Sequence, residues 1–245
     1  MENAQLISLS RQMALQRQMD VVANNLANMT TTGFKAEQLL FEEYKMPVAR
    51  DQDFARPDQT LSYVMDWATV HDLTSGPMLD TGNPLDVALQ GKGFLVVQTS
   101  DGEKYTKAGS LAIGQDGVLK DPSGNPILGS GGPITFDASE TDISISADGT
   151  VSSSAGTKGT LRVVEFSEPQ NAQRYGENLW TGGSPVPATD TKVMQGAIER
   201  SNVSSVAQMS EMIRIQRAYE GMSSLIQKQD DQRRDAIKKL GSLNA

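Results

Sequence analysis

The chain has no cysteine, a single histidine and aromatic side chains at only 5% of its 245 positions. Without cysteine there is no disulfide scaffold, and the chain suits a protein that crosses a membrane unfolded and must not crosslink on the way. Few aromatics exclude large ring-rich pockets. The start, "MENAQLISLSRQM", carries Glu2 in place of a basic leader, and Arg11 interrupts its apolar run, so no cleavable signal peptide is expected. No stretch reaches the ~20 consecutive apolar residues of a membrane span. The net charge, 22 − 30 = −8, argues against a general nucleic-acid binder.

The acidity is not evenly spread. Residues 1–40 carry three bases and three acids, and residues 201–245 carry seven and five. Residues 41–200 hold twelve bases and twenty-two acids, so the ends are nearly neutral and the centre is anionic.

The ends have helical spacing. Leu6, Leu9 and Met13 mark one stripe, and Leu15, Met19, Val22, Leu26 and Met29 repeat at four, three, four and three, the coiled-coil period. Near the C-terminus Met212, Ile215, Tyr219, Met222 and Ile226 repeat at three, four, three and four. Gln229 and Arg233 interrupt that seam before Ala236 and Leu240 partly restore it. Ser201 or Asn202 is placed to cap the first turn of this second helix. At the first helix's end, "ANNLANMTTTGFKA" (23–36) concentrates Asn24, Asn25, Asn28 and three threonines before Gly33, which can take the left-handed conformation that stops a helix.

Residues 84–166 are different: short apolar runs separated by Asp-Gly pairs at 101–102, 116–117 and 148–149, which are hairpin signals and predict an antiparallel all-β domain. Residues 35–83, with Pro47, Pro57 and Pro77, read as an extended connector, and 181–200 as the return connector. The fold class expected is α+β: long terminal helices (1–34 and 201–245) pairing as a coiled coil, with an antiparallel β domain (84–180) inserted between extended connectors.

Chemistry is sparse. His71 has no metal-ligand companions in the sequence and reads as a surface or packing residue. "GKGFLV" (91–96) lacks the third glycine of a dinucleotide loop and reads as a turn entering a strand. Asp101 and Asp116 lack the alternate acids of a calcium loop and read as turn residues. No catalytic residue, metal or cofactor is expected.

Three segments resemble one family. "MDVVANNLANMTTTGFK" (19–35) is similar to the N-terminus of bacterial flagellar rod and hook proteins, with Met19 where leucine is usual. "QGAIERSNVSSVAQMSEMIRIQRAYE" (195–220) resembles that family's C-terminal signature. "LDVALQGKGFLVVQTSDGEKYTKAGSLAIGQDGVLKDPSGNPILG" (85–129) resembles its shared β domain. In the last, Lys107-Ala108-Gly109 stands where Arg-x-Gly is usual and Leu111 where an aromatic is usual, departures expected to bear on surface detail.

The resemblance implies a structural subunit of the flagellar basal-body rod, closest to the proximal rod members, with a distal rod protein second. It implies self-assembly through the terminal helices, export without a cleavable leader, and a place in the basal body across the periplasm. It also implies partners among other proximal rod proteins, the distal rod protein, membrane-ring and rod-base proteins and the flagellar export apparatus, and no nucleic acid or small-molecule substrate. Carried over as assembly positions are Asn24, Asn28, Thr31, Thr32, Gly33, Phe34, Glu199, Ser201, Asn202 and Val203, beside the two seams. A soluble coiled-coil/β binding module whose helices form a private hairpin is the alternative from another class. A hydrolase on the β domain is a third.

Overall fold

Two segments hold the longest runs free of proline, and both are helical in the computed structural model, which describes residues 2–45, 62–176 and 178–242. Helix α1 (Glu2–Ala27) contains neither proline nor glycine. Helix α2 (Ser205–Ser242) spans 38 residues, roughly 57 Å at ~1.5 Å per residue. With many antiparallel strands between them, the chain is α+β.

The chain forms two units. The first comprises Met1–Leu26, Glu37–Val70 and Ser205–Ala245; the second comprises Ala27–Ala36 and His71–Ser204.

In the first unit, the 3–4 seam of α1 lies inward: Val22 is buried and Leu15, Met19 and Leu26 are half-buried. On α2, Ile215 is buried at 1% exposure, with Met212, Tyr219, Met222 and Ile226 half-buried. Gln229 and Arg233, expected to interrupt the seam, are half-buried at its next two positions. Gln18, Val21, Val22 and Asn25 of α1 line one groove together with Gln208, Glu211 and Ile215 of α2. Strand β1 (Glu37–Lys45) pairs with β2 (Ser62–His71) within the stretch read as connector. Pro47 and Pro57 lie outside the described residues.

The ends of the helices correct two expectations. Helix α1 closes at Ala27, and the chain then makes two short turns, Thr31 N–H donating to Asn28 O (3.2 Å) and Phe34 N–H to Thr31 O (3.3 Å). Gly33 does adopt a left-handed φ of 69°, but six residues past the helix. Helix α2 starts at Ser205, and neither Ser201 nor Asn202 caps it. The Ser201 hydroxyl accepts from Val203 N–H at 3.2 Å, and the Asn202 side chain is spent on Ala36, Asp72 and Thr74. The Ser201 bond closes a short turn ahead of the helix, and the Asn202 amide satisfies backbone groups of residues 36, 72 and 74, so neither side chain is left to cap the first turn.

The second unit is built on a six-stranded antiparallel sheet in the order 172–175, 179–182, β4 (Gly102–Thr106), β3 (Phe94–Thr99), 163–166 and 185–187. The "FLVV" run of β3 is buried at all four positions because both sheet faces are covered. Leu95 and Val97 point into a cluster with Leu119, Ile127, Ile134, Phe136, Val151 and Leu161; Phe94 and Val96 point oppositely, to Phe166 and Trp180. Each such side chain contributes roughly 1.5–3 kcal/mol by leaving water. Gly102, Gly117 and Gly149 of the three Asp-Gly pairs all have positive φ, as tight turns require. His71 packs edge-on against Trp180, ring centres 4.7 Å apart. Leu111 belongs to the first cluster at 4% exposure, and Lys107 is 3% exposed; both were expected to be surface detail, and both are interior.

Candidate functional site

Among the polar residues that crowd the end of α1, Asn25 bonds to backbone and Asn24 and Asn28 to other side chains. In the first unit, Asn25 is 1% exposed although it lies in the apolar stripe one turn after Val22. Its Nδ2 donates to Glu37 O (2.8 Å) and its Oδ1 accepts from Glu37 N–H (2.9 Å). The amide thus pairs with Glu37 as a neighbouring strand would. Asn24 Nδ2 donates to the Glu37 carboxylate at 3.2 Å.

In the second unit, Asn28 Oδ1 accepts from the Thr31 hydroxyl (3.1 Å), and Thr32 O accepts from Asn178 Nδ2 (2.8 Å). Thr31 and Thr32 line a polar cleft with Asn28, Thr106, Asp121 and Arg174. Phe34, fully buried, carries the Arg174 guanidinium 4.1 Å above its ring, a contact of about 0.5–2 kcal/mol.

Beside this cleft's motif sits a buried ionic cluster. Lys35 and Glu199 are 0% and 1% exposed, with Lys35 Nζ 2.6 Å from Glu199 Oε1. Lys107 Nζ lies 3.3 Å from Glu199 Oε2 and also donates to Gly91 O at 2.7 Å. Lys35 Nζ donates further to Thr74 O (2.6 Å), and Gly76 N–H to Glu199 Oε1 (2.8 Å). One carboxylate therefore joins two lysines and a backbone amide. The main chain repeats the convergence: Gly33 N–H donates to Glu199 O (2.8 Å), and Arg200 N–H to Pro77 O (3.0 Å).

Burial lowers the Lys107 pKa from its ordinary 10.5, and nearby Lys35 lowers it further; the Glu199 carboxylate opposes both. Folded Lys107 thus releases its proton at lower pH than unfolded Lys107. Between the two values the unfolded chain holds more protons, so stability rises with pH up to about 10.5. Tyr105, whose pKa is raised by burial, contributes the opposite slope above its ordinary 10.0. The difference between wild type and Lys107→Met in urea titrations at stepped pH isolates the lysine: the rise is expected in wild type only. Equal slopes in the two proteins would refute the assignment.

Gly33 sets how closely the chain segments of this junction approach. A Cβ there would stand 2.5 Å from Lys107 O and 2.6 Å from Ala108 N, at a φ that L residues disfavour. Gly33→Ala is expected to cost at least about 1–3 kcal/mol, read as a lower urea midpoint with unchanged helix content.

Of the positions named from sequence, Gly33, Phe34, Glu199 and Ser201 are buried inside the second unit, and Asn202 and Val203 are half-buried there. Asn28, Met29, Thr31 and Thr32 are half-buried in the same unit. Asn25 was named only as part of the polar helix end, Lys107 only as a departure bearing on surface detail, and Lys35 was not singled out. An amide within an apolar stripe is the signal that points to Asn25. For the ionic cluster the signal is one charge inside each otherwise neutral "TGFK", "YTKAG" and "GAIE" run.

Those three runs fall in three segments that match known protein families. Residues 6–35 match the flagella basal body rod protein family, 88–153 the flagellar hook protein FlgE/F/G D1 domain, and 194–238 the flagellar basal body rod FlgEFG protein C-terminal region. Along its whole length the chain is 37% identical to the flagellar basal-body rod protein FlgF of Caulobacter vibrioides, with all of both chains covered. The chain belongs to the flagellar basal-body rod protein family. It is also 36% identical to FlgF of Escherichia coli, covering 87% of this chain and 88% of that one. A flagellar basal-body rod protein FlgG of Buchnera aphidicola is 32% identical, over 89% of this chain and 92% of the other. Each matched segment of this rod-family chain supplies one member of the buried cluster: Lys35, Lys107 and Glu199. Among the described residues no helix is long and apolar enough to cross a membrane.

Proposed function

We propose that the chain is a structural, non-catalytic subunit of the flagellar basal-body rod, standing where the relatives named FlgF stand. The full-length match to a FlgF carries this reading. The convergence of all three family segments on Glu199 supports it, since the residues most buried at the junction lie in those segments. The FlgG match over most of the chain keeps the distal rod protein as the second reading.

In this reading α1 and α2 pair through Leu15, Met19, Val22 and Leu26 on one side and Met212, Ile215, Tyr219, Met222 and Ile226 on the other. The half-buried to buried state of these residues and the groove that Val22 and Ile215 line together support the pairing. Asn24, Asn28, Met29, Thr31, Thr32 and Val203, the polar-motif residues left partly exposed, meet neighbouring subunits. The other rod proteins, the membrane-ring and rod-base proteins and the export apparatus are the partners, and the rod crosses the periplasm after export without a cleaved leader.

The test is deletion and return of the gene in its own host. Cells lacking the chain should not swim, the returned chain should restore swimming, and purified basal bodies should contain it. Normal swimming without the chain, with the chain absent from basal bodies, would remove the reading.

A further inference from the structure

One edge of β1 is satisfied at its first residue and then left open. Where the chain enters the strand, Asp72 N–H donates to Ala36 O (2.9 Å). From there the even-numbered backbone groups face β2 and the odd-numbered ones face away from it. Asn25 takes up the first odd position, Glu37, with its side-chain amide. The next belongs to Leu39. Two residues of strand advance ~7 Å and one helical turn ~5.4 Å, so the α1 residues beside Leu39 lie about one turn back from Asn25. They are Val21 and Val22, whose side chains have nothing to donate or accept. Among the described residues nothing bonds the Leu39 backbone on that edge, and β1 and β2 form a two-stranded sheet.

The open edge borders the groove between the helices, which has a volume of about 320 Å³. Its apolar part is Val21, Val22, Leu39 and Ile215. Its charged residues are Glu37 and Glu211, and among the described residues no base lines it. The exposed Arg214 guanidinium beside Glu211 holds that carboxyl below its usual range, so it is charged at neutral pH. Gln208, on the same wall, buries its Oε1 without a hydrogen-bond partner. A donor brought into the groove would remove that cost.

We propose that this groove receives a short extended segment of a different protein, which joins β1 as a third strand and carries a lysine or arginine toward Glu37 and Glu211. Its main chain bonds Leu39 and Phe41, the odd-numbered positions past Asn25. Its apolar side chains, alternating with the basic ones, rest on Val22 and Ile215. Charge decides against a second copy as the occupant. The β1 of another copy, "EQLLFEEYK", carries three acids and one base, and would set carboxylates against Glu37 and Glu211. The net charge of −8 repels a like chain and draws a basic one.

The purified full chain serves for the test, whatever its place in a basal body. The probe is a capped heptapeptide alternating valine and lysine. Hydrogen exchange followed by NMR should show the Leu39 and Phe41 amides protected when it is added, with Gln38 and Leu40, which face β2, unchanged. Two N-methylated versions block either the valine or the lysine amides, and one of them should bind about tenfold more weakly. A version with glutamate for lysine should lose at least as much. Leu39→Pro removes the edge donor and spares the even-numbered bonds to β2; it should weaken the peptide equally with helix content unchanged. If that variant misfolds, the methylated peptides on wild type still decide. Equal binding of both methylated peptides or of the glutamate version, protection elsewhere, or no binding would overturn the proposal. Leu39 protection that grows with chain concentration and needs no peptide would mean that a second copy fills the groove, and would overturn it too.

Discussion

Replacing Glu199 by glutamine should unfold the second unit more readily than any conservative change on its surface. Glutamine keeps the shape and can still accept from Gly76 N–H, but it leaves Lys35 and Lys107 facing each other across a neutral amide. Both lysines are buried, and breaking a buried ion pair from one side costs about 3–5 kcal/mol because the remaining charge has no compensation. At ~2–4 °C per kcal/mol for a unit of this size, the melting temperature should fall by roughly 10 °C. Near-UV dichroism follows the loss, since Trp180 is buried in this unit. The companion variant Lys35→Met, Lys107→Met, Glu199→Leu removes all three charges together and should recover much of it. A melting temperature unchanged in Glu199→Gln would show that the cluster is electrostatically idle.

The second large effect is expected in the first unit, from Ile215→Asp. Ile215 is 1% exposed within a single chain, on the groove it shares with Val22 and Leu39. A carboxylate forced into that position costs roughly 2–5 kcal/mol, and the cost falls on the isolated subunit before any assembly. Far-UV dichroism of the purified chain should show helix melting several degrees earlier, and the cells should not swim. Ser224→Asp is the control: Ser224 is exposed on the same helix and should leave helix melting unchanged. Met209→Asp makes the complementary case. Met209 is 49% exposed, beside exposed Val206 and Ile213 on the same helix, so helix melting should be nearly that of wild type while motility is lost. If Ile215→Asp melts like wild type, the inward seam of α2 is misassigned.

The contrast between Ile215 and Met209 also shows where sequence patterns stop being informative. Spacing of three and four identifies an apolar stripe but not which of two stripes a chain will cover for itself. Leu6, Leu9 and Met13 were visible as a stripe from the start, and so were Leu15 to Met29; only burial separates them, the first three being at least half exposed. The β unit was legible because its signals are local: Asp-Gly turns and alternating runs depend on neighbours in sequence. The buried cluster was not, because Lys35, Lys107 and Glu199 are 72 and 92 residues apart along the chain, and a lysine in a strand-end motif reads as solvent-exposed. Lys107 was even noted as a departure and assigned to the surface. What hides it is the long methylene stem, which lets an ammonium group reach an interior carboxylate from a backbone position of ordinary appearance.

The pair of bonds between Asn25 and Glu37 carries one more implication. Amide and peptide present the same donor and acceptor side by side, and among side chains of this length only asparagine does so. Aspartate has the same outline but no N–H; in place of the bond to Glu37 O it would set two oxygens against each other. Hydrolysis of this one amide, which spontaneous ageing of asparagine produces without any enzyme, would therefore convert a fastening into a wedge. In a protein that tolerates thirty acidic residues, position 25 is a place where a thirty-first would be expelled.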